Sequence, residues 1–491
     1  MTSFLGIDIG TSSVKALLID ERQVVLAEAG ADLVVHRQHP LWSEQDPHSW
    51  WDATNKVVAS IRDQQPDAFR ALCGIGLSGQ QHGATLLDDT GEVLRPCILW
   101  NDGRSAAECR ELLERVPDLA LRCSNIAMPG FTAPKLLWVA KYEPDLFKRI
   151  SKVLLPKDYV RFRMTDAYVS DLSDSAGTLW MNVAERQWDD TIIRASGLNP
   201  SMMPDLVEGS DISGYLSSEV ADAWGLAGRR IPIAGGAGDN AASAVGIGAV
   251  QDGQGFISLG TSGVVFVTTD RPVSLPHRTL HAFCHALPHR WHGMAVTLSA
   301  AQSLSWLANI TGHASDIGGL IKRAEGFAAD PENVRSAPLF LPYLTGERTP
   351  HNDPQATGQF ARLRVEHDVG ALAFAVLEGV ACALADCLAV LAEANATPTT
   401  CMLVGGGSRS RFWAQIIADR AGISLDLPEG SEHGAAAGAA RLAMLAAGCS
   451  QDDVCKQPHV RERISPDLSD PELSALRRSA VLELYNGARN S

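Results

Sequence analysis

Two stretches, 250 positions apart, carry the same short pattern, and such a chain is constrained to fold as two related halves. Residues 4–20 read FLGIDIGTSSVKALLID and residues 256–270 read FISLGTSGVVFVTTD. Laying Gly10-Thr11-Ser12 on Gly260-Thr261-Ser262 puts Val14 on Val264 and Asp20 on Asp270. Each run is an apolar strand, a small polar turn and a second β-rich strand, as a hairpin requires. The plainer alternative is an ordinary Gly-Thr-Ser turn used twice. Asp8 in the first copy is replaced by Ser258 in the second, so two such hairpins facing across a cleft would supply one carboxylate.

Beyond the hairpins both halves alternate strands with helices. After Asp46-Pro47, a cap followed by proline in the first turn, Trp50, Thr54, Val57 and Ile61 recur at helical spacing. Residues 72–77 read as a buried strand ending in Ser78-Gly79. In the second half, 371–392 is a helix and 402–404 a short strand. Gly405-Gly406-Gly407 then opens a loop before a helix carrying Phe412, Trp413, Ile416 and Ile417. The expectation is α/β, with one domain over 1–245 and a second over 246–491.

The composition is that of an ordinary globular protein, 45% apolar and 20% charged, which excludes disorder, collagen and coiled coil. A formal charge of −15 argues against a nucleic-acid partner, because phosphates are repelled over most of the surface; any phosphate site must be local. Ten cysteines without a CxxC pair indicate reduced thiols, not a zinc ribbon or a disulfide scaffold. Asp8 interrupts the first apolar stretch and no basic segment precedes it, so no secretory signal is expected and the cytoplasm is the expected compartment. The most apolar segment, 369–392, contains Glu378 and Asp386 and reads as a buried core helix, so no membrane partner is expected.

Four places could carry chemistry. Turn amides with small residues and Thr/Ser hydroxyls, as at 10–12 and 260–262, can grip phosphate without lysine, and neither GxxxxGK[ST] nor GxGxxG is present. Asp8, two residues before the first turn, could hold Mg²⁺ bridging nucleotide phosphates, or be a strand-end acid facing solvent. In IPIAGGAGDNAASA, residues 231–244, three glycines lead to Asp239, which is either a helix N-cap, a carboxylate able to take a proton from a substrate hydroxyl, or both. In LSGQQHGAT, Gln81 and His82 suit hydrogen bonding to a polyhydroxylated ligand, with a satisfied surface histidine as the alternative. LWNDGR, with Trp100 and Asp102, adds an indole face and polar groups of the kind that meet sugars. His281, Cys284, His285, His289 and His292 have metal-like helical spacing, but Pro288 breaks the helix they would need, so a strand and loop is the expectation. HExxH and GxSxG are absent.

Taken in order, GIDIGTSSVKALLID, SGQQHG, WNDGR, MPGFTAPKLLWV (128–139), GGAGDNAA, SLGTSG, LPYLTGERTPHNDPQATG (341–358) and VGGGSRS resemble the FGGY carbohydrate kinases. The resemblance runs to about residue 445, with TAPKLLW and GERTPHNDP its most specific segments. It implies two ribonuclease-H-like domains of the actin and sugar-kinase superfamily around a central cleft, the first for sugar and the second for nucleotide. It implies ATP with Mg²⁺, Asp239 as general base, and Asp8 and Asp239 near the metal, Asp239 directly or through water. Gly10, Thr11, Ser12, Gly260, Thr261 and Ser262 would meet phosphates, and Gly405, Gly406, Gly407 and Ser408 the adenosine side. Gln81, His82, Asp239 and Asn240 match ketose contacts, with Trp100 and Asp102 in the same half. D-xylulose is the acceptor implied first, with ribulose, another ketopentose or a polyol as alternatives, and a homodimer is a family expectation. Many members have Met where this chain has Gln81, which bears on sugar identity. A more distant reading is an Hsp70-like nucleotide-driven binding protein, which would need a peptide-binding module for which the segment after the last motif leaves no room.

Overall fold

The repeated hairpins form the centres of two sheets. Ser3–Ile9 pairs antiparallel with Ser13–Asp20, and Gln254–Leu259 with Gly263–Thr269. In the computed structural model, which describes residues 2–430, 433–467 and 469–489, both hairpins are extended in the same way. Val25–Asp32 adds antiparallel outside the second strand of the first hairpin, while Leu72–Gly79 lies parallel to the first strand and Pro232–Ala234 parallel beyond it. In the second half Trp291–Thr297 takes the outer antiparallel place, and Thr400–Val404 and Leu425–Pro428 the two parallel ones. Both mixed sheets thus run third, second, first, fourth, fifth. This is the expected two-domain α/β architecture.

The pairing corrects one detail of the repeat. Asp8 lies opposite Lys15, but Ser258 lies opposite Val264. The second turn is therefore one residue shorter, and Val264 is the counterpart of Lys15, not of Val14. Burial agrees: Val14 and Val265 are fully buried, whereas Lys15 is exposed and Val264 half-buried. A one-residue slip exchanges the faces of a strand, so only this register keeps both cores intact.

The helices follow their sequence signals. Asp46 caps Pro47–Gln64 by accepting from the His48 amide, and Trp50, Thr54, Val57 and Ile61 form its buried stripe. Val369–Glu393 is long and apolar enough to cross a membrane, yet most of it is buried against the second sheet. Two of its acids are neutralised inside the molecule, Glu378 by Arg477 and Arg420, and Asp386 by Arg478.

The halves are joined by two small-residue helices that change sides. Asp239–Gly246 leaves the first sheet and packs, through Ala244 and Ile247, on Phe256, Phe266 and Met402 of the second. Gly434–Ala446, from the second half, lies on the first sheet over Gly6, Gly74 and Gly76. The two also touch each other: a Cβ on Gly438 would fall 1.7 Å from the Ala242 carbonyl. Glycine at these positions lets backbone meet backbone, and the cleft opens beside this seam.

Candidate active site

In a sheet of this order, ligands gather beyond the carboxyl ends of the parallel strands. Asp8 stands there, opposite Ser78, whose hydroxyl donates to Asp8 Oδ1 at 2.9 Å. On the other side of the same strand, Ala237–Gly238 pairs with Ser78 and Gly79, and Asp239 follows at once. Backbones two strands apart are separated by about 10 Å, a gap that two inward-leaning carboxylates can close. The two acids feel each other: Asp239 is pushed up to about 7, first by burial and next by the charge of Asp8. Asp8 is itself raised by burial, against the Ser78 hydrogen bond.

The capping alternative for Asp239 is not what the structure has. Gly238 occupies the N-cap and Asp239 is the first helical residue. Its Oδ1 accepts from the Asn240 amide at 2.7 Å and the Asn240 side chain at 2.9 Å. Among the described residues no donor reaches Oδ2. That leaves one carboxylate oxygen, poorly solvated and of raised proton affinity, facing the cleft.

On the side of the first sheet, Gln81 lies against Gly238, where a Cβ would come within 2.7 Å of its amide nitrogen. The backbone of His82 is left-handed (φ +68°), and its Nδ1 is 2.6 Å from the Gly177 carbonyl. A carbonyl only accepts, so the proton is on Nδ1 and Nε2 is an acceptor. Burial, then Lys135, pulls His82 down to about 3, so it stays neutral near pH 7. Trp100, 40% exposed, donates its indole N–H to Thr11 Oγ1 at 3.0 Å, and that hydroxyl donates to Gln80 at 2.9 Å. The Thr11 hydroxyl is therefore occupied, leaving its amide for a ligand. Asp102 departs from the expectation of a sugar contact. It is buried, with both oxygens accepting from Arg104 and one also from the Ser43 amide at 2.6 Å.

The turns keep their donors. Among the described residues the amides of Thr11, Ser12, Thr261 and Ser262 donate to no main-chain carbonyl. A cavity of about 790 Å³ is lined by Asn240, Ser258, Gly405, Gly406 and Ser408, Ser258 standing two residues before the second turn. Gly405 has φ +90°, and a Cβ there would meet the Leu259 carbonyl at 2.9 Å, so the turn requires glycine. Gly407 instead packs on Leu259 and Trp413. Asn240 lies on this cavity while its side chain donates to Asp239. A cavity walled in part by glycines, with open turn amides two residues beyond Ser258, suits a nucleotide, and the paired carboxylates Asp8 and Asp239 are the oxygen donors that Mg²⁺ takes.

The histidines form strands His281–Cys284 and Trp291–Thr297 with a loop between, as expected. Three of them are buried, His292 stacked on Phe266 and His281 held by Asn125. Sequence reasoning passed over three groups. Lys135 donates to the His82 carbonyl at 2.7 Å. Arg348, in the GERTP segment, depresses His82 and His281, yet no side-chain hydrogen bond or ion pair is made by its guanidinium among the described residues. Third is a buried charge cluster around Lys157. TAPKLLW and GERTPHNDP already contained the first two, but periodicity says nothing of where a buried cation points.

The chain matches two family models: the FGGY family of carbohydrate kinases, N-terminal domain, over residues 3–246, and the C-terminal domain of the same family over 255–447. It is 51% identical over 484 residues to the xylulose kinase of Escherichia coli (strain K12), covering 98% of each chain. It is 50% identical over 444 residues to that of Klebsiella pneumoniae, covering 90% of each. The crystal structure of a xyloylose kinase from Brucella ovis superposes with a TM-score of 0.95 at 46% identity, covering 99% of both chains. That of a xylulose kinase from Rhodospirillum rubrum gives 0.92 at 29%, with the same coverage.

Proposed function

The chain belongs to the FGGY family of carbohydrate kinases, and from that premise we propose that it transfers the γ-phosphoryl group of ATP to the 5-hydroxyl of D-xylulose, giving D-xylulose 5-phosphate and ADP. Identity to xylulose kinases over nearly the full length supports the acceptor. The observation that carries the mechanism is Asp239, with one oxygen held by Asn240, the other open, and its proton affinity raised to about 7.

In this reading residues 1–245 hold the sugar and 246–491 most of the nucleotide. His82 Nε2 and the Gln81 amide take ketose hydroxyls, and Trp100 presents its indole face. Asp239 accepts the 5-hydroxyl proton as that oxygen bonds to the γ-phosphorus and the bond to the ADP oxygen breaks. The amides of the 10–12 and 260–262 turns receive the charge on the phosphates. Asp8 and Asp239 would hold Mg²⁺, which when bound supplies neutralisation of that charge. Gly405, Gly406 and Ser408 line the adenosine side. Asp102 contributes only by holding the loop that carries Trp100. The protein is a homodimer in the cytoplasm, a reading supported by its family and testable by sedimentation.

The test is a panel of ketopentoses and polyols in a coupled ADP-release assay, with the phosphorylated position assigned by NMR. Xylulose is expected to give the highest kcat/KM and a 5-phosphate. Faster turnover of ribulose or a polyol would assign the chain to another member activity, with Gln81 the first position to examine.

A further inference from the structure

Under the 235–238 turn lie five charged side chains with no exposed surface: Lys157, Asp158, Arg161, Asp171 and Asp174. Lys157 Nζ is 2.6 Å from Asp158 Oδ1, to which it donates a hydrogen bond, and 2.7 Å from Asp171 Oδ1 and 3.0 Å from Asp174 Oδ2, neither of these two aligned for a hydrogen bond. The three aspartates are close enough together to collect a metal ion, but the ammonium already occupies their centre. Burial raises Asp174 well above the usual carboxylate range. A buried cluster of this kind is weak as a source of stability, since apolar side chains of the same volume commonly do as well.

Its outward contacts go to the Asp239 turn. Arg161 donates through Nη2 to the Gly235 carbonyl and through Nη1 to the Val169 carbonyl at 2.8 Å. Asp171 Oδ2 accepts from Ser173 Oγ at 2.5 Å, and Ser173 Oγ accepts in turn from the Gly238 amide at 3.2 Å. The first carbonyl and last amide of the turn are thus both held, and the next residue is Asp239. The segment continues to Gly177, whose carbonyl holds His82 Nδ1. One buried segment, 171–178, holds two of the groups assigned above to the sugar hydroxyls, His82 directly and Asp239 through the turn before it.

We propose that Ser173, anchored through Asp171 to the Lys157 cluster, is a positioning residue that sets Asp239 against the bound sugar. The inference rests on Asp239 as the proton acceptor, and Asp239→Asn is measured in parallel. A misplacement of about 1 Å costs roughly 10²-fold in rate. Ser173→Ala, which leaves the lysine and aspartates in place, is expected to lower kcat between about tenfold and 10²-fold. The KM for ATP should stay within about twofold, because the nucleotide turns are untouched. Hydrogen exchange of the Gly238 amide should quicken in the same variant while the sheet amides keep their protection. If Ser173→Ala does not fold, Ser173→Cys, close in volume and a weaker hydrogen-bonding group, is read in the same way. A kcat within twofold of the parent, or a lower kcat with unchanged Gly238 exchange, overturns the proposal when Asp239→Asn is inactive. A nearly active Asp239→Asn instead overturns the reading on which it rests.

Discussion

Asp239 shows how a single carboxylate is prepared for a proton. Burial and the neighbouring Asp8 disfavour its charge, Asn240 holds one oxygen, and the second is left for a ligand. A base works only when ionised, so raising its proton affinity to about 7 moves the acid limb of activity into the physiological range. We expect kcat/KM for the sugar to fall about tenfold per pH unit below that limb, as a rate profile between pH 5 and 9 would show. Asp239→Asn should abolish the limb and lower turnover by roughly two to four orders of magnitude. A near-normal rate would remove Asp239 from the chemistry. His82, already neutral, should add no break between pH 5 and 8. The three glycines before Asp239 marked this place in the sequence. The pairing of Asp102 with Arg104 was not visible, because a salt bridge two residues apart depends on how a loop turns.

Among the elements, the hairpins and the crossed helices matter most. The hairpins were legible from their repeat, but the one-residue difference in their turns was not, since Gly-Thr-Ser reads alike in either register and only the cores decide between them. The helix Gly434–Ala446 was hidden for a different reason: an Ala/Gly stripe does not say which sheet it covers. At Gly76 a Cβ would lie 1.8 Å from the Ala439 carbonyl, a clash with backbone that no rotamer relieves. Gly76→Ala should therefore destabilise by at least the ~1–3 kcal/mol usual for overpacking, measured by chemical denaturation. Gly326→Ala is the matched control. It sits in Ile317–Ala328 with open space around its Cβ position and should stabilise by about 0.5–1 kcal/mol.

For the whole molecule, Asp239 and the Gln81–His82 loop belong to the first half and the Gly405 turn to the second, and the cavity at Gly405 reaches across to Asn240 and Ser243. Closure excludes water from the phosphoryl group and completes the site. Small-angle scattering should show a smaller radius of gyration at saturating xylulose; an unchanged radius would rule closure out. The sequence by itself determined the class of fold and the two halves, and it marked the Gly-Thr-Ser turns and Asp239 as candidates, because periodicity, turn chemistry and short motifs are local properties. Tertiary structure alone decided which carboxylates face the cleft and which are spent on arginine, which sheet each crossing helix covers, and what holds the turn before Asp239. Those depend on residues far apart in the chain, as when Lys157 reaches Gly238 through Asp171 and Ser173, and no window along a sequence contains such a contact.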